Sequence, residues 1–235
     1  MKGGGRVMRA AKATLAVTAV CSGLAWTAVS LTSESVDSKP PTRCSYTPTH
    51  GKKTVGVPTY DAAAAARPYT AKVVTNMGSV TFKALTHNAP CATNSFSFLA
   101  GKGYYDNSKC HRVSTRMIFV LQCGDPAGKG SADPGYFFGD ENLDGAVYPA
   151  GTVALAPATR GRNSSQFFIS YADPTMRMPA NWTPFGKVVS GMDVLKAIAK
   201  NGTSDGSPNA MPKKPVVIKS VTVRQEAAAG PRQAG

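Results

Sequence analysis

Four short segments collect side chains that could do chemistry. They are Cys110-His111-Arg112-Val113, Phe119-Val120-Leu121-Gln122-Cys123-Gly124-Asp125, Ser165-Gln166-Phe167-Phe168-Ile169 and Phe185-Gly186-Lys187-Val188. Together they offer a cation, amides and a large apolar surface. An arginine stays charged and presents a planar fork of donors, so it suits a place where a developing lone pair or charge must be stabilised. No C-x-x-C spacing is present, which argues against a structural zinc site, and no metal or other cofactor is expected. A lone histidine is more often structural than catalytic, and His111 is given no acid–base role. Each fragment alone is weak, because His-Arg pairs and Gly-Asp turns also occur by chance.

The elements that must position these residues read as mainly β. Short β-branched runs over 69–77 and 79–85 meet at Met77-Gly78-Ser79, a hairpin signal. Over 90–99 the period changes, with Phe96, Leu99 and Ala100 on one helical face and glycines at 101 and 103 ending it. Strands follow over 109–114 and 117–122, then a Gly- and Asp-rich loop over 124–145. Further strands fall over 151–156, 166–171, 185–189 and 216–224, and a second helix over 192–201. About eight strands and two helices in one domain fit a barrel whose ends the helices plug.

The rest of the chain reads as accessories to residues 68–225. Lys2, Arg6, Arg9 and Lys12 precede an uncharged run over 13–31. That is the layout of an export signal or membrane anchor over 1–32, which would put the domain outside the cytoplasm, secreted or held at the membrane. Residues 33–67, rich in Pro, Ser, Thr and Ala, read as a tether, and 226–235 as a flexible tail. The 235 residues carry 27 Lys+Arg against 13 Asp+Glu, a net charge of +14, which raises the question of nucleic acid. The charge is spread singly rather than clustered or interleaved with aromatics, so a solvated basic surface is the reading and no nucleic-acid partner is expected. Outside the leader lie Cys44, Cys91, Cys110 and Cys123, which allow three full pairings. One disulfide is expected, with Cys91 and Cys110 as the candidate pair.

In this order and at these separations the four segments resemble the cyclophilin signature, over roughly 69–224. The resemblance implies a closed eight-stranded antiparallel barrel capped by two α-helices. It also implies cis–trans isomerisation of peptide bonds before proline without a cofactor, by a monomer whose partners are proline-containing segments of client proteins. That reaction is slow because amide resonance must be broken, at a barrier near 18–20 kcal/mol. In the twisted transition state the proline nitrogen becomes pyramidal and regains its lone pair. A fixed cation beside it stabilises the twisted state over both planar ones. The resemblance makes Arg112 that donor, Gln122 its holder and Phe119 a wall beside them. It lines the rest of the groove with His111, Val120, Ala156, Pro157, Gln166, Phe168, Met178 and Trp182. Phe167 and Phe168 adjoin on one strand, so one enters the core and the other the groove.

Some residues depart from the family. The interval from Arg112 to Gln122 is two residues longer than in the common eukaryotic form, and Arg116 sits in it. Pro157 replaces an asparagine and removes a backbone donor. Arg177 aligns where an indole serves cyclosporin binding, so weak inhibition by that drug is expected. A catalytically weak proline-binding chaperone and a polyanion binder are the alternatives to an enzyme.

Overall fold

The computed structural model describes residues 43–51, 53–131 and 133–226; the leader over 1–32, most of the tail and the tether up to residue 42 lie outside them. In chain order the elements are β1 (Thr47–Pro48), α1 (Ala62–Ala65), β2 (Tyr69–Thr75), β3 (Gly78–Ala84), α2 (Pro90–Gly101), β4 (Arg112–Arg116) and β5 (Ile118–Cys123). They continue with β6 (Tyr136–Phe137), β7 (Thr152–Leu155), β8 (Phe167–Ser170), β9 (Pro184–Ser190), α3 (Met192–Lys200), β10 (Asn209–Ala210) and β11 (Ile218–Gln225).

Alternation on the strands decides which face is buried. Tyr69, Ala71 and Val73 on β2 and Val80, Phe82 and Ala84 on β3 point inward, while Lys72 and Lys83 face water. Phe96 of α2 fills the centre, with ring centroids 5.2 Å from Phe82, 5.1 Å from Tyr105, 5.6 Å from Phe167 and 5.4 Å from Phe185. Close packing there needs Gly186, because a Cβ at that position would come within 2.6 Å of the Phe82 ring. On α3, Leu195 and Ile198 are the buried face.

Nine of the eleven strands described form one curled antiparallel sheet in the order β10-β4-β5-β8-β7-β9-β3-β2-β11, and β1 and β6 pair in a second sheet of two. This strand order has nine members and is open, so the expected mainly β, cyclophilin-like sheet is present and its closure as an eight-stranded barrel is not confirmed. The reason is β10: Asn209 and Ala210 pair with Ser114 and Val113 and take up the outer edge of β4. Outside the named strands, an isolated bridge pairs Lys109, ahead of β4, with Val217, ahead of β11, and the Cys110 N–H donates to the Val216 carbonyl at 2.9 Å. Two residues are too few to show periodicity in sequence.

The disulfides also differ from expectation. Cys44 bonds Cys91 and Cys110 bonds Cys123, so Cys91 and Cys110 are not partners, and the described residues hold two bonds rather than one. The first bond changes the reading of residues 43–67. Their prolines suggest a tether, but this stretch is an arm folded onto the domain. β1 pairs with β6, the Tyr46 hydroxyl donates to the Cys91 carbonyl at 2.8 Å, and Asn94 donates to the Thr59 carbonyl at 2.9 Å. The alanine run becomes α1, capped by Asp61, whose carboxylate accepts from the Ala64 N–H at 2.7 Å.

A bond joining residues 47 apart removes much chain entropy from the unfolded state, typically about 2–4 kcal/mol. Cys44→Ser is therefore expected to lower the melting temperature by roughly 5–15 °C. Calorimetry checks this, and an unchanged midpoint would show that the arm contributes nothing to the fold.

Candidate active site

The outer face of the sheet carries a second apolar cluster, distinct from the core. It is made of Val120, Tyr148, Ala154, Ala156 and Phe168, with Met178 and Trp182 packed against it. Phe167 is fully buried in the core and Phe168 belongs to this outer cluster, as alternation on β8 requires. Tyr148 holds the cluster's far wall. Its hydroxyl donates to the Trp182 carbonyl at 2.8 Å and accepts from the Trp182 N–H at 3.0 Å. The Trp182 ring then stands edge-on to Phe168, with centroids 6.1 Å apart.

Arg112 and Gln122 are direct cross-strand partners in the β4–β5 ladder. The Arg112 Nη1 donates to the Gln122 Oε1 at 2.6 Å and its Nε to the Asn209 Oδ1 at 2.6 Å. Gln122 in turn donates to the Gln166 Oε1 at 3.1 Å, and Gln166 to the Gly130 carbonyl at 3.0 Å. The result is a polar row along one side of the apolar cluster, in which the guanidinium plane is fixed from two directions. Two hydrogen bonds leave the Arg112 Nη2 uncommitted among the described residues.

The loops at the Gly130 end are equally determined. Gly124 has φ +92°, and a Cβ there would lie 2.3 Å from the Ser165 carbonyl oxygen, so glycine alone lets β5 turn against the start of β8. Asp125 is buried, which disfavours its charge, yet N–H groups of Ala127, Lys129 and Ser131 hold its carboxyl below the usual range. That loop presents the Gly130 carbonyl.

The socket between the polar row and the apolar cluster is lined by Arg112, Ile118, Val120, Gln122, Ala156, Phe168, Met178 and Trp182. Seven of these are residues the sequence singled out. Gln166 joins them through the polar row, and His111 lies half-buried against Gly130 at the same end. Pro157 follows Ala156 at the rim, half-buried, and does not line the socket.

Phe119 is a correction. Positions 118, 120 and 122 share the groove face, so Phe119 points the other way and packs on Tyr171 with ring centroids 5.9 Å apart. Ile118 takes the place beside Val120 and Gln122 on the groove face. Asn209 and Tyr148 were missed. Neither lies in a recognisable segment: the two-residue pairing of β10 with β4 brings in Asn209, and bonds to the Trp182 backbone bring in Tyr148.

This geometry agrees with the comparisons. The family model for "Cyclophilin type peptidyl-prolyl cis-trans isomerase/CLD" matches residues 70–223. The chain belongs to the cyclophilin family. It is similar to a probable peptidyl-prolyl cis-trans isomerase B of Mycobacterium tuberculosis, 38% identical over 163 residues, which covers 63% of this chain and 52% of that protein. A peptidyl-prolyl cis-trans isomerase-like 1 of Neurospora crassa is 36% identical over 158 residues, covering 66% and 94%. This cyclophilin thus spans about half the length of its mycobacterial relative. Among solved structures, a Cryptosporidium parvum cyclophilin type isomerase studied in the presence of the dipeptide Ala-Pro matches with TM-score 0.58 and 25% identity. The match covers 67% of this chain and 99% of that one.

His111 generates a test of this packing. Burial pushes its imidazole below the ordinary value, Asp125 works against that, and Arg112 adds to it. Both ring nitrogens lack hydrogen-bond partners among the described residues. The unfolded chain takes up this proton as pH falls through about 6.5, the native ring only at lower pH. Stability is thus full above that value and declines below it. Denaturation midpoints are expected to fall between pH 7.5 and 5.5, and less so in His111→Phe. An identical decline in both proteins would contradict a neutral buried ring.

Proposed function

We propose that this cyclophilin accelerates cis–trans isomerisation of X–Pro peptide bonds, with proline-containing segments of client proteins as substrates. The observation that carries the reading is the fixed guanidinium at the wall of an apolar socket. The pyrrolidine ring enters between Phe168, Val120, Met178 and Trp182. Its nitrogen then faces Arg112, and a charged donor there stabilises the pyramidal nitrogen more than the planar amide. No proton is transferred and no bond is broken, so the site needs neither a base nor a nucleophile.

Export or membrane anchoring belongs to the same proposal, with a role in folding exported proteins as a monomer. Its supports are the basic leader with its uncharged run and the two disulfides, which persist in oxidising compartments. No helix among the described residues is long and apolar enough to cross a membrane.

Arg112→Ala is expected to keep the fold by circular dichroism and to lose about a hundredfold in kcat/KM, roughly 2.7 kcal/mol. A protease-coupled assay on a Pro-containing peptide measures it, and near-normal turnover would overturn the mechanism. In the same assay cyclosporin should inhibit only in the micromolar range: Arg177, aligned where the family has its indole, is exposed and stands outside the socket, and the socket's own indole, Trp182, is packed edge-on to Phe168. Nanomolar inhibition would show that Trp182 replaces it. For location, a reporter enzyme that folds only outside the cytoplasm should be active when fused after residue 235. An inactive fusion that accumulates to normal levels would contradict export.

A further inference from the structure

Beside the proline socket, and sharing Arg112 and Ile118 with it, lies a cavity of about 200 Å³ that the reaction itself does not use. Its far wall is the tip of the β4–β5 hairpin, the part of this chain that is two residues longer than in the common eukaryotic form. Arg112, Ser114 and Arg116 alternate along β4 and so present one face to the cavity. Met117 makes the tip turn, with φ +64°, and its carbonyl accepts from the Thr175 N–H at 2.9 Å. That bond holds the 174–178 loop against the hairpin and brings Met176 into the wall.

The cavity therefore has an adaptable apolar wall, made by Met117, Ile118, Met176 and Pro208, and two cations on one edge. Arg112 is held by Gln122 and Asn209. Arg116 is exposed and its side chain has no hydrogen bond or ion pair among the described residues, where the one salt bridge joins Lys83 and Glu226. No acidic residue lines the cavity. An apolar wall with an unpaired cation above it suits a side chain with an aliphatic stem and a carboxylate at its end.

We propose that this cavity is a specificity subsite that takes an acidic side chain, above all glutamate, from the substrate residue flanking the proline. The proposal rests on the isomerase reading and names the substrates that site prefers. The residue leaving the socket past Arg112 lays its methylenes on Met117 and Met176 and its carboxylate within reach of Arg116. Exposed ion pairs are weak and screened by salt, so the preference is modest and ionic-strength dependent.

The test uses the full chain and a peptide series that differs only at the residues before and after proline, each set to Glu, Gln or Lys. At one of the two positions, kcat/KM is expected to follow Glu over Gln over Lys, with roughly fivefold between the extremes at low salt and less at 1 M NaCl. In Arg116→Glu the order should reverse. The same peptides titrated by fluorescence anisotropy give the ratio of Kd values without requiring turnover. A Glu preference in Kd without turnover would uphold the subsite and defeat the isomerase reading. Turnover with no charge preference at either position, or a preference unchanged in Arg116→Glu, would overturn the subsite.

Discussion

One hydrogen bond organises the working face of this protein: Arg112 to Gln122, 2.6 Å, across a single register position of the β4–β5 ladder. An arginine side chain has many rotamers, and as a free surface group it would sample most of them. Opposite Gln122 and beside Asn209 it has one plane, so the entropy of ordering the donor is spent in folding rather than during reaction. Burial pulls the guanidinium below its ordinary pKa, but arginine starts high enough to stay charged. A lysine in the same place would be a point charge on a flexible stem.

Beyond the side-chain bonds to Asn209 and Gln166, what fixes this bond is the strand framework behind it. The β5 strand is paired on both sides, with β4 and β8, and its end is set by Gly124 against Ser165. Cys110 and Cys123 tie the same two strands just before Arg112 and just after Gln122. On the core side, Phe167 locks β8 into the aromatic cluster around Phe96, which leaves Phe168 to face outward. The outer apolar cluster is thus a consequence of the inner one, reached by the period-2 alternation of a single strand.

The strands and both long helices were readable in the sequence because their signals are local: β-branched runs, a change of period at Pro90, a glycine turn at Gly78. Most of the site was readable for a different reason, since the motif residues lie on those same strands. What escaped depends on contacts distant in sequence. Two-residue strands such as β1, β6 and β10 have no period of their own: β10 exists because β4 offers it an edge, and β1 and β6 because the arm docked by Cys44 lies beside residues 136–137. The arm looked like a tether because proline density says how stiff a segment is, not whether a disulfide docks it. Phe119 was misplaced because a motif match carries no face: counted back from Gln122, Val120 and Ile118 share the groove side while Phe119 packs toward the core.

The central claim is that Arg112 and Gln122 act as one unit, the cation performing the stabilisation and the amide only aiming it. A double-mutant cycle in kcat/KM with Arg112→Lys, Gln122→Ala and the double variant measures that coupling directly. Non-additive losses are expected: with lysine at 112 there is no planar fork to orient, so removing Gln122 should cost little more. Losses that simply add would mean the two residues contribute independently, and the account of an oriented guanidinium would be wrong.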